Sequence, residues 1–149
     1  MLGPFLLLLA WSALAPSGDR PTPPAPVADD VVEWSGRAVC VDESGGRVDC
    51  APEGNRFALY TSDGKLHWFA PHDPLAPVFD DPRVRDQPVV VRVRPHPDGT
   101  GELIKVYSVK HGKRHDVRYF CEVCNVTSFV YQLCPCCRGE MELQETPVE

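Results

Sequence analysis

Short apolar and alternating runs, separated by turn residues, recur along the middle of the chain and predict a protein made mainly of β-strands. The clearest run is VVVRVR, which begins at Val89. Because successive side chains of a strand point to opposite faces, Val89, Val91 and Val93 share one face and the two arginines the other, so this strand is expected to be half buried. Six strands are predicted, at residues 31–41, 56–61, 65–70, 88–94, 102–110 and 114–121.

Turns that contain glycine separate several of these runs. The SDG sequence ending at Gly64, the PDG sequence ending at Gly99 and the pair His111-Gly112 can each supply the positive φ that a tight hairpin needs. Sixteen prolines and eleven glycines among 149 residues also interrupt any long helical period. The composition therefore argues against an all-helical bundle.

The order of the predicted elements is three strands, a connecting segment and two further strands, which resembles the OB-fold between residues 31 and 110. The connecting segment, residues 72–87, is called the connector below. We expect Leu75, Val78 and Phe79 to fill the core from it, although prolines break it where many OB-folds carry a helix. The resemblance implies a small, mainly β barrel of five to six strands, with an SH3-like barrel or an open meander as the alternative.

Four cysteines near the C-terminus are spaced C-x2-C-x9-C-x2-C, a pattern that resembles a short zinc ribbon. They are Cys121, Cys124, Cys134 and Cys137. Residues 127–131 between the two pairs have the β-propensity to form a hairpin that brings the four thiolates together. Four thiolates would fill the tetrahedral sphere of Zn²⁺, so the pattern predicts a structural zinc site.

Disulfides are the alternative use of the same thiols, because an exported protein meets an oxidising environment. The chain has seven cysteines, an odd number, so complete pairing within one chain is excluded. Cys40 and Cys50 flank a Ser-Gly-Gly turn and are well placed for one disulfide. Cys136 then remains as a spare thiol, an alternative ligand or a reactive group. Iron in a rubredoxin-like site is a further alternative, although the gap between the pairs is short for that family.

The N-terminus carries an apolar run, residues 5–15, followed by small residues and a proline-rich stretch, as in a secretory signal. The sequence thus predicts an exported protein, whether periplasmic, secreted or membrane-anchored. The expected organisation is a signal peptide or anchor (1–17), a proline-rich tether (18–29), an OB-like β domain (30–118), a zinc-ribbon-like hairpin (119–143) and a tail (144–149).

The net charge of −6 argues against a protein that coats nucleic acid over its whole surface. Residues 83–118 nevertheless hold nine bases and four acids, a net +5, which indicates either a solvated strand face or an anion-binding face. No glycine-rich phosphate loop or nucleophile elbow occurs in the sequence. Partners are therefore expected to be a protein or an anionic ligand, with a membrane contacted only through an uncleaved N-terminal anchor.

Three functions are compatible with these features. The first is a non-enzymatic exported binding module with a structural zinc site. The second is a thiol redox or soft-metal-handling protein that uses Cys134, Cys136 and Cys137. The third, a cytosolic nucleic-acid-binding OB module, requires that the apolar N-terminus is not a signal.

Overall fold

The computed structural model of the protein describes residues 30–52 and 54–149. The predicted signal peptide (1–17) and tether (18–29) lie outside the described residues. Across the described residues the strands are β1 (Val32–Val41), β2 (Arg47–Val48), β3 (Arg56–Thr61), β4 (Leu66–Trp68), β5 (Val89–Pro95), β6 (Gly101–Lys110), β7 (Lys113–Cys121), β8 (Val126–Ser128) and β9 (Glu142–Pro147). A 3-10 helix (Ala76–Asp80) and one turn of α-helix, α1 (Pro82–Arg85), lie between β4 and β5. The prediction of a mainly β fold is confirmed.

The strands form one antiparallel sheet in the order β4-β3-β1-β5-β6-β7-β8, with β2 paired to β1 and β9 paired to β7. The sheet does not close into the predicted barrel by continuous strand pairing. Instead, the chain just after β4 approaches the start of β6 through a parallel bridge between Phe69 and Gly101. The Ala70 N–H also donates to the Gly101 carbonyl at 2.9 Å. A Cβ at position 101 would lie 2.5 Å from a ring carbon of Trp34, so this approach requires glycine.

The core forms where the connector packs against the sheet. Val78, Phe79 and Val84 are at most 1% exposed and join a cluster of buried strand residues that includes Leu59 and Val91. Leu75 is half buried against the same cluster. The predicted contribution of the connector to the core is confirmed, and the prolines that break it allow two short helical turns instead of one longer helix.

A buried carboxylate fixes the connector to β7, the strand that leads to the cysteines. Asp81 is 1% exposed and caps α1 by accepting from the Arg83 backbone N–H at 2.9 Å. Its oxygens also accept from the Arg83 guanidinium at 2.8–3.1 Å and from the Tyr119 hydroxyl at 3.0 Å. Burial raises the pKa of Asp81, but these hydrogen bonds outweigh it and hold the pKa below its ordinary value.

Strand β7 continues past the expected domain boundary between residues 118 and 119, so the sheet is shared by the two predicted units. One part of β7 pairs with β6, from Lys113 to Asp116, and another pairs with β8, from Tyr119 to Cys121. Strand β9 pairs with β7 along residues 115–120, although residues 144–149 were expected to form a tail. The cysteine region is therefore built onto the end of the main sheet.

The hairpin expected between the two cysteine pairs is present only in part, since Val126–Ser128 forms a strand that pairs with β7. Phe129, Val130 and Tyr131 are not in a strand, and only Val126–Ser128 is extended. The physical reason is the tight reversal at Asn125, whose φ is 53°, directly after Cys124. This reversal returns the chain to the part of β7 that β6 does not cover, so the segment pairs with β7 and not with itself.

A disulfide joins Cys40, in β1, to Cys50, just after β2, with the Cα atoms 5.3 Å apart. We predict that the double variant Cys40→Ser/Cys50→Ser lowers the free energy of unfolding by about 2 to 3 kcal/mol, because it releases the constraint on a short loop of the unfolded chain. Denaturant unfolding in the absence of reductant measures the effect. The wild type treated with reductant should match the variant, and equal stability of the variant and the oxidised wild type would contradict the prediction.

Candidate metal centre

The four cysteines singled out from the sequence meet at one point of the structure, and we call them the cysteine cluster. Cys121 is the last residue of β7, and Cys124 lies in the turn that follows. Cys134 and Cys137 lie in a second turn that precedes β9. All four sulfur atoms lie within 4.8 Å of one another, and the Sγ atoms of Cys121 and Cys137 are 3.6 Å apart.

The two turns that carry the cysteines share one backbone feature. In each, the residue after the second cysteine is left-handed, with φ of 53° at Asn125 and 63° at Arg138. The second turn is closed by two hydrogen bonds, from the Arg138 N–H to the Cys134 carbonyl and from the Cys134 N–H to the Gly139 carbonyl, both 2.9 Å. Because a non-glycine residue rarely adopts a positive φ, this conformation at Arg138 has to be stabilised by the surrounding structure.

Backbone amides point at two of the sulfurs. The N–H groups of Cys137 and Cys136 donate to Cys134, and these bonds lower the pKa of the Cys134 thiol to about 7. The N–H of Cys124 lowers the pKa of Cys121 in the same way, but burial and hydrogen bonds with Cys134 and Cys137 outweigh it and raise that pKa. Amide donors stabilise a thiolate, which is the form of cysteine that binds metals.

The cysteine cluster has a buried side and an exposed side. Cys121 and Cys134 are 2% and 0% exposed and belong to the same hydrophobic cluster as the strand residues, together with Met141. Cys124 is half buried, and Cys137 is exposed. Two of the four thiols are therefore held by the core of the domain, and the other two lie towards solvent.

The first cysteine turn and the chain that links the two cysteine pairs present large apolar side chains to solvent. Val123, Phe129, Tyr131 and Leu133 are 87%, 52%, 47% and 54% exposed. We call these four side chains the apolar rim. The Lys105 ammonium lies 5.0 Å from the centre of the Phe129 ring, which gives this part of the rim a cationic neighbour. The sequence does not signal this exposure, because the β-propensity of residues 127–131 predicts a hairpin there.

The basic segment at residues 83–118 is largely occupied by ion pairs. Arg114 makes two hydrogen bonds to Glu33, at 2.8 and 2.9 Å, and Lys105 lies 2.5 Å from Asp116. Further pairs join Arg94 to Glu102, Arg83 to Asp81, and Lys110 to Glu145. These bases thus offset nearby acidic groups, which favours a solvated strand face over an anion-binding face.

No protein-family model, curated protein or solved structure matches this chain. Across residues 30–52 and 54–149, no helix is long and apolar enough to cross a membrane. The function is therefore inferred from the geometry of the cysteine cluster and its surroundings.

Proposed function

We propose that the protein is a non-enzymatic, exported interaction module in which the cysteine cluster holds one structural Zn²⁺. The observation that supports this proposal most strongly is the convergence of four sulfurs within 4.8 Å of one another. Zinc–sulfur bonds of about 2.3 Å in a tetrahedron place the sulfurs about 3.8 Å apart, so only a small contraction of the cluster is needed. Four thiolate ligands leave no position for water or substrate, and for that reason we assign the metal a structural role.

The position of the cluster would allow a bound metal to connect two parts of the chain. Cys121 ends β7, whereas Cys134 and Cys137 lie in the turn before β9. A metal bound between them would tie the whole segment 122–141 to the sheet. Because such a site is absent from the unfolded chain, the free energy of metal binding would contribute directly to folding.

Export is part of the proposal, and the Cys40–Cys50 disulfide supports it. Structural disulfides persist in oxidising compartments and are rare where thiols are kept reduced. In such a compartment the thiols of the cysteine cluster need protection, and coordination to zinc would supply it. The apolar run at residues 5–15 is the feature of the sequence that would direct export.

The interaction role rests on the apolar rim. A metal-tied segment would present Phe129 and Leu133, both more than half exposed, in a fixed arrangement, and an exposed apolar surface held in this way is typical of protein–protein contact sites. We propose an apolar surface of another protein as the partner. Replacing both residues by Ser should abolish crosslinking to that partner without loss of zinc. Wild-type dimers in light scattering, or binding to lipid vesicles, would instead identify a second copy or a membrane as the occupant.

The metal site is tested by a panel of cysteine variants. The wild type is expected to bind one Zn²⁺ per chain, and Cys134→Ser should weaken binding more than about 100-fold, because even the loss of an outer-shell partner costs 10–100-fold. Cys136→Ser is the matched control, since it alters the neighbouring position but removes none of the four ligands. Competition with a chromophoric chelator measures the affinities. Equal zinc affinity of Cys134→Ser and the wild type would contradict the proposal.

A further inference from the structure

A cavity of about 220 Å³ lies where strands β6 and β7 separate. Strand β6 pairs with β7 only along its residues 107–110, so residues 101–106 of β6 are not covered by β7. The connector and one residue of the apolar rim border the space that this separation leaves. Six apolar side chains line the cavity: Leu75, Val78, Ile104, Val106, Val117 and Phe129.

The cavity has a buried wall and an open side. Val78, Val106 and Val117 are buried in the core, whereas Phe129 is exposed. An ordered water needs several polar partners, which walls of this kind do not supply, and an engineered apolar cavity of about 150 Å³ stays dry and binds benzene. The cavity is therefore suited to an apolar group somewhat larger than a benzene ring.

A β-bulge in β6 turns two consecutive side chains towards this cavity. Arg92 of β5 pairs with Lys105, and the next residue of β5 pairs with Leu103. Ile104 is thus an extra residue in β6, between these two pairs. Ile104 and Lys105 both line the cavity, although consecutive side chains of a regular strand point to opposite faces. The bulge therefore places a cation beside an otherwise apolar cavity.

Lys105 carries the one charge among the described residues that line the cavity. Its side chain is 28% exposed, and its ammonium lies 2.5 Å from the Asp116 carboxylate and 5.0 Å from the centre of the Phe129 ring. Because a lysine ammonium has three N–H donors, it can bind a second carboxylate while it keeps Asp116. A hydrogen bond between two charged groups is about twice as strong as a neutral one, so a bound carboxylate would be favoured here.

We infer that this cavity binds a small monocarboxylate with an aryl or alkyl body. The apolar body fills the cavity, and the carboxylate accepts a hydrogen bond from the Lys105 ammonium. None of the described residues that line the cavity is a cysteine, so this site is separate from the cysteine cluster. The inference therefore goes beyond the proposed function, and the two can fail independently.

The experiment titrates the full chain with phenylpropionate and, separately, with phenylpropanol, which has the same apolar body but no charge. The amide resonances of Ile104, Lys105 and Phe129 are expected to shift and to saturate at one phenylpropionate per chain. The dissociation constant should lie below about 1 mM, as the size of the ligand allows. Phenylpropanol should shift the same resonances but bind at least about tenfold more weakly, because it lacks the bond between charged groups.

Three variants distinguish binding by Lys105 from a purely structural role of its ion pair. Lys105→Met should weaken phenylpropionate at least about tenfold and change phenylpropanol by less than about twofold. Asp116→Asn removes the competing carboxylate and should strengthen phenylpropionate by about threefold, whereas a structural ion pair predicts losses in both variants. Lys65→Met is the matched control, since Lys65 also pairs with an aspartate, Asp63 at 3.0 Å, but does not line the cavity.

A cavity-filling variant tests the location of the site. Ile104→Trp should abolish binding of both compounds, with its fold checked by denaturant unfolding. If that variant does not fold, the substitutions at Lys105 and Asp116 still decide the question. Equal affinity of the wild type for the two compounds would overturn the inference. So would the absence of saturable shifts at the cavity residues, or unchanged binding of phenylpropionate to Lys105→Met.

Discussion

Replacing Val91 by Asp is expected to lower the free energy of unfolding by about 4 kcal/mol, because it places an unpaired carboxylate in the core. Val91 is 0% exposed and lies in β5, between Trp34 of β1 and Val106 of β6. Since domains of this size are stable by only about 5 to 15 kcal/mol, the variant should lose a large part of its stability. Denaturant unfolding monitored by tryptophan fluorescence measures the change.

The matched control is the adjacent residue on the other face of the same strand. Arg92 is exposed, so Arg92→Ser should change the free energy of unfolding by less than about 0.5 kcal/mol. The contrast between the two variants tests the alternation of faces in β5. Similar losses of stability in both would show that the assignment of the buried face is wrong.

The second large effect is expected for Asp81→Ala, at about 3 kcal/mol. The substitution removes the cap of α1 and the ion pair with Arg83, and it leaves the buried hydroxyl of Tyr119 without its acceptor. Because the Arg83 side chain is 56% exposed, it can return to solvent, which keeps the loss below that of a fully buried broken ion pair. Denaturant unfolding at pH 7 measures this loss.

A double-mutant cycle isolates the Tyr119 contribution. Tyr119→Phe alone should cost about 1 kcal/mol, and on the Asp81→Ala background it should cost nothing or be stabilising, because the hydroxyl no longer has an acceptor. If the two substitutions lowered the free energy of unfolding additively, the hydrogen bond from Tyr119 to Asp81 would be contradicted.

The pH dependence of the Asp81→Ala effect follows from the lowered pKa of Asp81. An acid whose pKa is lower in the folded state stabilises the protein above its ordinary pKa, near 4, and this contribution is lost as the pH falls through the folded value. The difference in stability between the wild type and Asp81→Ala should therefore be largest near neutral pH and shrink below pH 4. A difference that grows on acidification would contradict the assignment.

The strands were predictable because their signals are local. All six predicted strands are present, and the run at residues 56–61 was placed with the observed bounds. The alternation in β5 gave the buried face correctly, since Val89, Val91 and Val93 are at most 1% exposed. Both signals depend on side-chain periodicity and turn residues within one short segment, which a single sequence contains.

The sequence predicts which cysteines come together, but not the path of the chain that links them. Spacing identified the four residues that converge, because each C-x2-C turn brings its own two thiols together and two such turns together supply the four ligands of a zinc site. The strand expected in the link is only partly present, since Val126–Ser128 is extended whereas Phe129, Val130 and Tyr131 have β-propensity and yet lie outside any strand. What decides their path is the uncovered length of β7, a tertiary feature that no local pattern records.

Strand β9 was missed for a related reason. Its sequence, ELQETP, is polar and charged, and it alternates only weakly. Such a composition is typical of an exposed edge strand, where charges and proline discourage further pairing. The half-buried Glu145 contacts Lys110 and Gln87, which are far from it in sequence, so no local pattern predicts these contacts.

The most direct test of the zinc centre is elemental analysis, combined with free-thiol counting, on protein purified from its native compartment. The expected result is one zinc per chain, a Cys40–Cys50 disulfide, one thiol (Cys136) that reacts with an alkylating reagent in the native protein, and four thiols that react only after the metal is removed and the chain is denatured. Protein that contains no metal and carries Cys121 and Cys124 in disulfides would contradict the account and favour a thiol redox or disulfide-linked protein.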